Sequence, residues 1–247
     1  MGAFDDWRGK RNRVFFPPRD VPNVLAWFEG DKIAGAGGAN VVKWSATAGG
    51  FPLLLLANTP AAPTLLTGVA NGRRAVRFGA GARLASTSGF GVAGPLTPST
   101  GPVGAPLTHA FVFRVSSDFA ITSPTAIFFQ FGNQRVRFAG AGKTLYLTGS
   151  AGENVNGPEL TDGSWHVGVV TFNGPNGAAC YIDGYLTSLV AAPGAVIAAT
   201  AYECGIVGGD VTAGHVDLGE MITAQMAPAP NLISDLTAAL AEKWGLS

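Results

Sequence analysis

Residues Gly163 to Tyr185 read GSWHVGVVTFNGPNGAACYIDGY. An alternating apolar run is followed by a Gly/Asn/Pro turn, a second run and then Asp183-Gly184. Asn173-Gly174-Pro175-Asn176-Gly177 supplies the positive φ angles that a chain reversal needs, and Asp183-Gly184 suits a type I′ turn matched to strand twist. This predicts two consecutive hairpin connections. In the first run Trp165, Val167, Val169 and Thr171 share one face, and His166, Gly168, Val170 and Phe172 share the other. Both faces are mostly apolar, so the strand is expected to be covered on both sides, as in a sandwich.

The composition agrees with that expectation. Among 247 residues there are 35 glycines and 16 prolines, and only 13% are charged, against about 25% in an ordinary globular protein. Many short strands joined by Gly/Pro turns would give this balance, and all-β sandwiches reach this length as one unit. A thinly charged surface suits a protein that packs against other subunits. Formal net charge is zero, so no overall field draws the chain to nucleic acid or to an anionic membrane.

Further strands are expected at His109–Val115, Ala126–Gln130, Arg135–Phe138, Lys143–Leu147, Ala178–Ile182 and Val216–Ile222. Gly89 to Thr108 is uncharged and rich in Gly, Pro, Ser and Thr, which reads as a long loop because Pro removes ladder donors. One helix closes the chain. Leu232, Leu236, Leu240 and Trp244 recur every fourth residue, Asn231 is placed to cap the start, and Gly245 ends the last turn. The stripe is expected to be core. Trp27, Trp44, Phe78, Trp165 and Trp244 are expected to be buried, joining the sheets or seating this helix.

Four segments carry a family resemblance, in order along the chain. Trp165-His166-Val167 with Tyr181-Ile182-Asp183-Gly184 resembles the "W-H-x-v … Y-v-D-G" signature of the concanavalin A-like jelly rolls, in particular the laminin-G-like group. Leu25-Ala26-Trp27 with Val42-Lys43-Trp44-Ser45 resembles the family's opening strand and its "W-x-D-x-S-G" turn. Asn71-Gly72, Ala75-Val76-Arg77-Phe78 and Leu84 resemble "N-G-x-x-A-V-R-F-d-G … L". Leu218-Gly219-Glu220 and Lys243-Trp244-Gly245-Leu246 resemble the closing "i-G-E … L-x-x-K-W-G". The resemblance runs from about Val24 to Leu246 and implies an all-β, two-sheet antiparallel jelly-roll sandwich with a short C-terminal helix. It does not fix a function, because this fold serves lectins, glycanases, adhesion modules and virion proteins alike.

The chemistry-bearing residues narrow the choice. Glycanases of this fold need an acid and a nucleophile straddling the scissile bond, and no "E-x-D-x-x-E" run occurs. Asp210, Asp217 and Glu220 are the nearest acids. Asp217 and Glu220, three apart, would face opposite sides of a strand, and the resemblance makes Glu220 structural. No nucleophile elbow, phosphate loop or zinc helix is found. Calcium-binding relatives place Asp in loops at the sheet edge; here Ser45 and Gly79 stand at those places, so no metal or other cofactor is expected. Glu153, Asn154, Asn156, Glu159 and Asp162 form a candidate ligand-binding polar rim, or an ordinary solvated loop. Cys180 and Cys204 read as small apolar fillers or as a disulfide, and His109, His166 and His215 lack ligand spacing.

The first 22 residues read as an arm, with residues 23–247 as the jelly-roll domain. The arm carries five of the sixteen basic residues, and Trp7, Arg8, Arg11, Arg13, Phe15 and Phe16 are candidate partner-docking residues, since aromatics and arginines dominate interface energetics. The alternative is a segment that packs along the sandwich. No run approaches the roughly 20 apolar residues of a membrane span, and the N-terminal stretch has no hydrophobic region like a signal peptide's. The expected setting is therefore a bacteriophage-type virion, made in a host cytoplasm. There the chain would be a non-enzymatic capsid decoration, head-fibre or tail-adsorption subunit. Its partners would be other virion proteins or copies of itself, with a host-surface glycan as a further partner. The alternative is a secreted or cell-surface carbohydrate-binding module.

Overall fold

The computed structural model describes residues 21, 23–47, 54–57, 61–86, 106–121, 127–131, 134–139, 144–149, 152–154, 159–172, 177–190, 202–207, 211–226 and 230–246. In chain order the strands are β1 (Val24–Glu29), β2 (Lys43–Ser45), β3 (Leu54–Ala57), β4 (Thr64–Leu66), β5 (Ala75–Phe78) and β6 (Arg83–Ser86). There follow β7 (Leu107–Val115), β8 (Ala120–Ile121), β9 (Ile127–Phe131), β10 (Gln134–Ala139), β11 (Thr144–Gly149) and β12 (Gly152–Asn154). The last are β13 (Trp165–Phe172), β14 (Ala178–Ile182), β15 (Tyr185–Val190), β16 (Tyr202–Val207), β17 (Val211–Ala213) and β18 (Val216–Ala224), before helix α1 (Pro230–Trp244).

Among the described residues these strands form two eight-stranded antiparallel sheets and a short ribbon of β8 with β17. The first sheet runs β15-β14-β13-β7-β18-β5-β4, and β1 extends β18 beyond its pairing with β5. The second runs β12-β11-β10-β9-β16-β6-β3-β2. The expected jelly-roll sandwich is what the chain folds into, and the expected strands are present to within two residues at either end. Leu107 and Thr108 belong to β7 rather than to the loop before it; residues 87–105 of that loop lie outside the described residues.

Strand β13 shows why the alternation could be read. Val170 and Phe172 enter the core between the sheets, while Val167 and Val169 enter a second core beneath α1. Each large side chain so buried contributes about 1.5–3 kcal/mol. The inter-sheet core is aromatic, with Phe28, Trp44, Phe78, Phe111, Phe113 and Phe128 all under 2% exposed. At the expected tight turn Asp183 and Gly184 have φ of 51° and 83°, the left-handed pair that a two-residue hairpin requires. Trp27, Trp44, Phe78 and Trp244 are buried as expected. Trp165 is only partly buried and lies on the helix side, 5.2 Å from Trp244 between ring centres, because it ends the strand at the rim of the sheet.

Helix α1 starts at Pro230, so Asn231 is its second residue and not its cap; proline suits the first helical position because that N–H has no partner there. Gly245, at φ 65°, ends it. Its N–H donates to Glu242 O and that of Leu246 donates to Ala241 O, the paired bonds of a Schellman ending. Leu236, Leu240 and Trp244 face the sheet. Cys180 and Cys204 are free and buried in the inter-sheet core, and burial pushes both thiols up, Cys180 to about 11. No helix among the described residues is long and apolar enough to cross a membrane.

Candidate functional site

Asp217 and Glu220 do not face opposite sides of β18. Leu218 pairs with Phe113 and Glu220 with Val112 of β7, so Gly219 is an extra residue in the ladder. This bulge turns both carboxylates to the helix side. Gly219 is required there: a Cβ on it would lie 2.0 Å from Trp244 Cη2. Glu220 is buried and fully engaged. It accepts from Trp27 Nε1 at 2.7 Å, Trp244 Nε1 at 2.9 Å and Lys243 Nζ at 2.7 Å. Burial raises its pKa, against the opposing effect of Lys243 and Trp244.

Asp217, 0% exposed, takes Arg77 through two bonds of 2.8 and 3.1 Å and also both Nε and Nη2 of Arg114. Trp165, Arg114, Asp217, Arg77 and Thr64 pair successively across five strands of the first sheet. The Arg114 guanidinium lies 5.0 Å from the Trp165 ring centre. This row ties strands together, and both carboxylates are taken up by these arginine, lysine and indole partners.

His166 joins the turn at Asp183 to the loop before β13. Its Nδ1 is 2.8 Å from Asp183 Oδ2 and its Nε2 is 3.4 Å from Asp162 Oδ1, while Asp183 Oδ1 accepts the Val167 N–H at 2.8 Å. Burial lowers the imidazole pKa, but the bonds and charges of Asp183 and Asp162 outweigh it, so His166 sits above its ordinary value. The W-H and D-G pieces of the motif are thus one structural clip.

A groove of about 410 Å³ opens between the segments Lys32–Ala34 and Asn40–Thr47. Its lining includes Lys32, Asn40, Lys43, Ser45 and Thr47 over the edge of the buried Trp44, with Val42, 62% exposed, also lining it. Among the described residues no carboxylate lines it. The groove is preformed. Trp44 Nε1 donates to Glu29 O at 3.1 Å, and Thr47 donates through its N–H (2.7 Å) and hydroxyl (3.2 Å) to Trp27 O. Arg74 Nη1 holds Ile33 O at 2.7 Å.

Of the residues expected to bind, Asp162 is exposed and spent on Ser164 N–H and His166. Glu153 and Asn154 fall in β12, and Asn156 lies outside the described residues. So do Trp7, Arg8, Arg11, Arg13, Phe15 and Phe16, as does Asp210. Val21, at the end of the expected arm, is buried in the core beneath α1. Lys32 and Asn40 were not singled out by the sequence. The one available signal was Ser45 beside Lys43, where the resembled turn would carry Asp.

No known family model matches this chain, and no curated protein does. Solved structures do resemble it. One is of botulinum neurotoxin type C, from work on the dependence of its cell entry on two ganglioside molecules. It has a TM-score of 0.62 at 10% identity, over 88% of this chain and 51% of that one. The binding domain of botulinum neurotoxin DC in complex with SialylT has a TM-score of 0.61 at 10% identity, over 89% and 52%. The binding domain of Paraclostridial Mosquitocidal Protein 1 has 0.59 at 10% identity, over 88% and 52%. The likeness is one of fold, a lectin-like β-sandwich, and the chain spans about half the length of each neighbour.

Proposed function

We propose that this chain is a non-enzymatic binding protein that holds a saccharide in the groove beside Trp44. The groove itself carries the reading. It is preformed, it falls within the usual range of about 300–1,000 Å³ for ligand sites, and it mixes hydroxyl, amide and ammonium groups with apolar surface. Hydrolysis would need an acid and a nucleophile at such a cleft, whereas Asp217 and Glu220 are enclosed by arginine, lysine and indole partners. The cell entry of the type C toxin depends on gangliosides and the DC domain is complexed with SialylT, each in a chain about twice the matched length; these neighbours support a glycan as the class of ligand.

For the setting we propose a virion. There the chain would decorate a capsid, form part of a head fibre or serve in tail adsorption, with the first 22 residues, anchored by Val21 in the core beneath α1, as a docking arm on residues 23–247. Its low charge supports this, as do Tyr185, Leu186 and Leu189, exposed on β15. A secreted or cell-surface carbohydrate-binding module would use the same groove.

Glycan-array screening of the whole chain tests the reading, with β-glucan, agarose and carrageenan incubated in parallel and assayed for new reducing ends. Array binding that Ala34→Trp abolishes by filling the groove is expected, without release of reducing sugar. Turnover of any of the polymers, or no glycan bound at all, overturns it. Mass spectrometry of purified particles beside the secreted fraction decides the setting.

A further inference from the structure

Two lysines line this groove, and among the described residues the carboxylates beside them in the sequence, Asp31 and Glu29, are committed elsewhere. Lys32 ends the 3-10 turn Gly30–Lys32, and Lys43 begins β2 on the facing wall. Asp31, next to Lys32, bonds Arg73 Nη1 and accepts the Arg74 N–H at 2.9 Å. Glu29, behind the Thr47 end, accepts the Thr47 hydroxyl at 2.8 Å and Lys243 Nζ at 3.0 Å. Neither Lys32 nor Lys43 forms an ion pair among the described residues. Two like charges thus share a fixed concavity whose described lining holds no carboxylate. Such a site favours an anion, which relieves their repulsion and gains charge-assisted hydrogen bonds.

We infer that the groove selects an acidic saccharide, one carrying a carboxylate or a sulfate, with the anion between Lys32 and Lys43. Ser45, Thr47 and Asn40 then offer hydrogen bonds to ring hydroxyls, and Val42 offers apolar contact to a sugar face. The walls need no rearrangement, since Arg74 pins one and the β2–β3 pairing of Lys43 with Leu56 pins the other. Little ordering cost therefore opposes binding. Ser45 of this groove also stands where the resembled calcium-binding turn would carry an Asp, so that carboxylate is missing from its lining.

This inference rests on the saccharide-binding reading, and calorimetry on the whole chain separates the two. Sialyllactose is compared with lactose, and a sulfated heparin disaccharide with its desulfated form. At least one acidic sugar should bind about ten-fold or more tightly than its neutral partner, the scale of a hydrogen bond to a charged group, and more weakly as salt is raised. Which acidic sugar does so distinguishes a carboxylate ligand from a sulfate one. Lys32→Ala and Lys43→Ala should each weaken it by about ten-fold, and Lys43→Arg should restore most of the loss. Both side chains are exposed, so the thermal midpoint should not move. Equal binding of acidic and neutral sugars overturns the inference and leaves the saccharide reading standing. Acidic-sugar binding that ignores both lysines overturns the assignment to this groove. Binding of neither kind overturns both.

Discussion

Trp27 and Glu220 lie 193 residues apart, yet the Trp27 indole N–H donates to Glu220 Oε1 over 2.7 Å beneath the final helix. The same carboxylate takes Trp244 and Lys243 of that helix. One buried acid therefore joins the first strand, the last strand and the C-terminus. Removing it would take the acceptor from two buried indole N–H groups and leave Lys243 with Glu29. Glu220→Ala should cost about 3–5 kcal/mol, the range for breaking a buried pair from one side. Glu220→Gln keeps one acceptor and should cost about 1–3 kcal/mol. Urea midpoints measure both, and a Glu220→Ala protein as stable as wild type would refute the lock.

Gly219 and Trp244 should be coupled. A methyl at residue 219 would meet the Trp244 ring at 2.0 Å, so Gly219→Ala must tilt the indole away from Glu220. The expected cost is about 1–3 kcal/mol from overpacking. Trp244→Ala should cost about 3–5 kcal/mol by itself. With the ring gone, Gly219→Ala should cost little, so the double mutant should be clearly sub-additive. Additive losses in the cycle would show that the bulge is not there to admit the ring.

The Asp217 row predicts an asymmetry. Asp217 is wholly buried, whereas the Arg77 and Arg114 side chains are 34% and 26% exposed. Asp217→Ala strands two guanidinium groups and should cost about 3–5 kcal/mol. Arg77→Ala leaves Arg114 on the carboxylate and opens onto solvent, so about 1 kcal/mol is expected. Similar losses for the two would mean the carboxylate is not the hub.

The sandwich was legible because β13 alternates cleanly and Asp183-Gly184 has few other uses; the helix was legible because its stripe keeps a four-residue step. The facing of Asp217 and Glu220 was not. Alternation assumes one residue per ladder position, and only the pairing with β7 reveals that Gly219 is extra. Trp165 is less buried than expected for a related reason: a pattern assigns a face but not a distance from the strand's end. The groove was hidden because its walls come from separate segments, Lys32–Ala34 and Asn40–Thr47, neither of which carries a motif for binding. The missing Asp at Ser45 told what the turn lacked, not that Lys32 would stand across from it.

His109 gives the pH prediction. Its Nδ1 is 3.0 Å from Thr223 Oγ1, and its ring lies 4.7 Å from that of Phe129 and 5.8 Å from that of Phe172. Burial holds its pKa down to about 3, from an ordinary 6.5. Between those values the unfolded chain binds a proton that the folded chain refuses. The neutral histidine therefore adds nothing to the pH dependence above about 6.5, and stability falls as pH drops toward 3. At about 1.4 kcal/mol per pH unit, the full loss is on the order of 5 kcal/mol. Carboxylates elsewhere also titrate in this range, so the quantity to measure is a difference. His109→Gln removes the titration while leaving an amide to meet Thr223. At about pH 7 wild type should be the more stable protein by urea unfolding. Between about pH 6.5 and pH 4 the gap should narrow by roughly 1.4 kcal/mol per unit. A gap that stays constant across that range would show that the imidazole is charged, or solvated, in the folded protein.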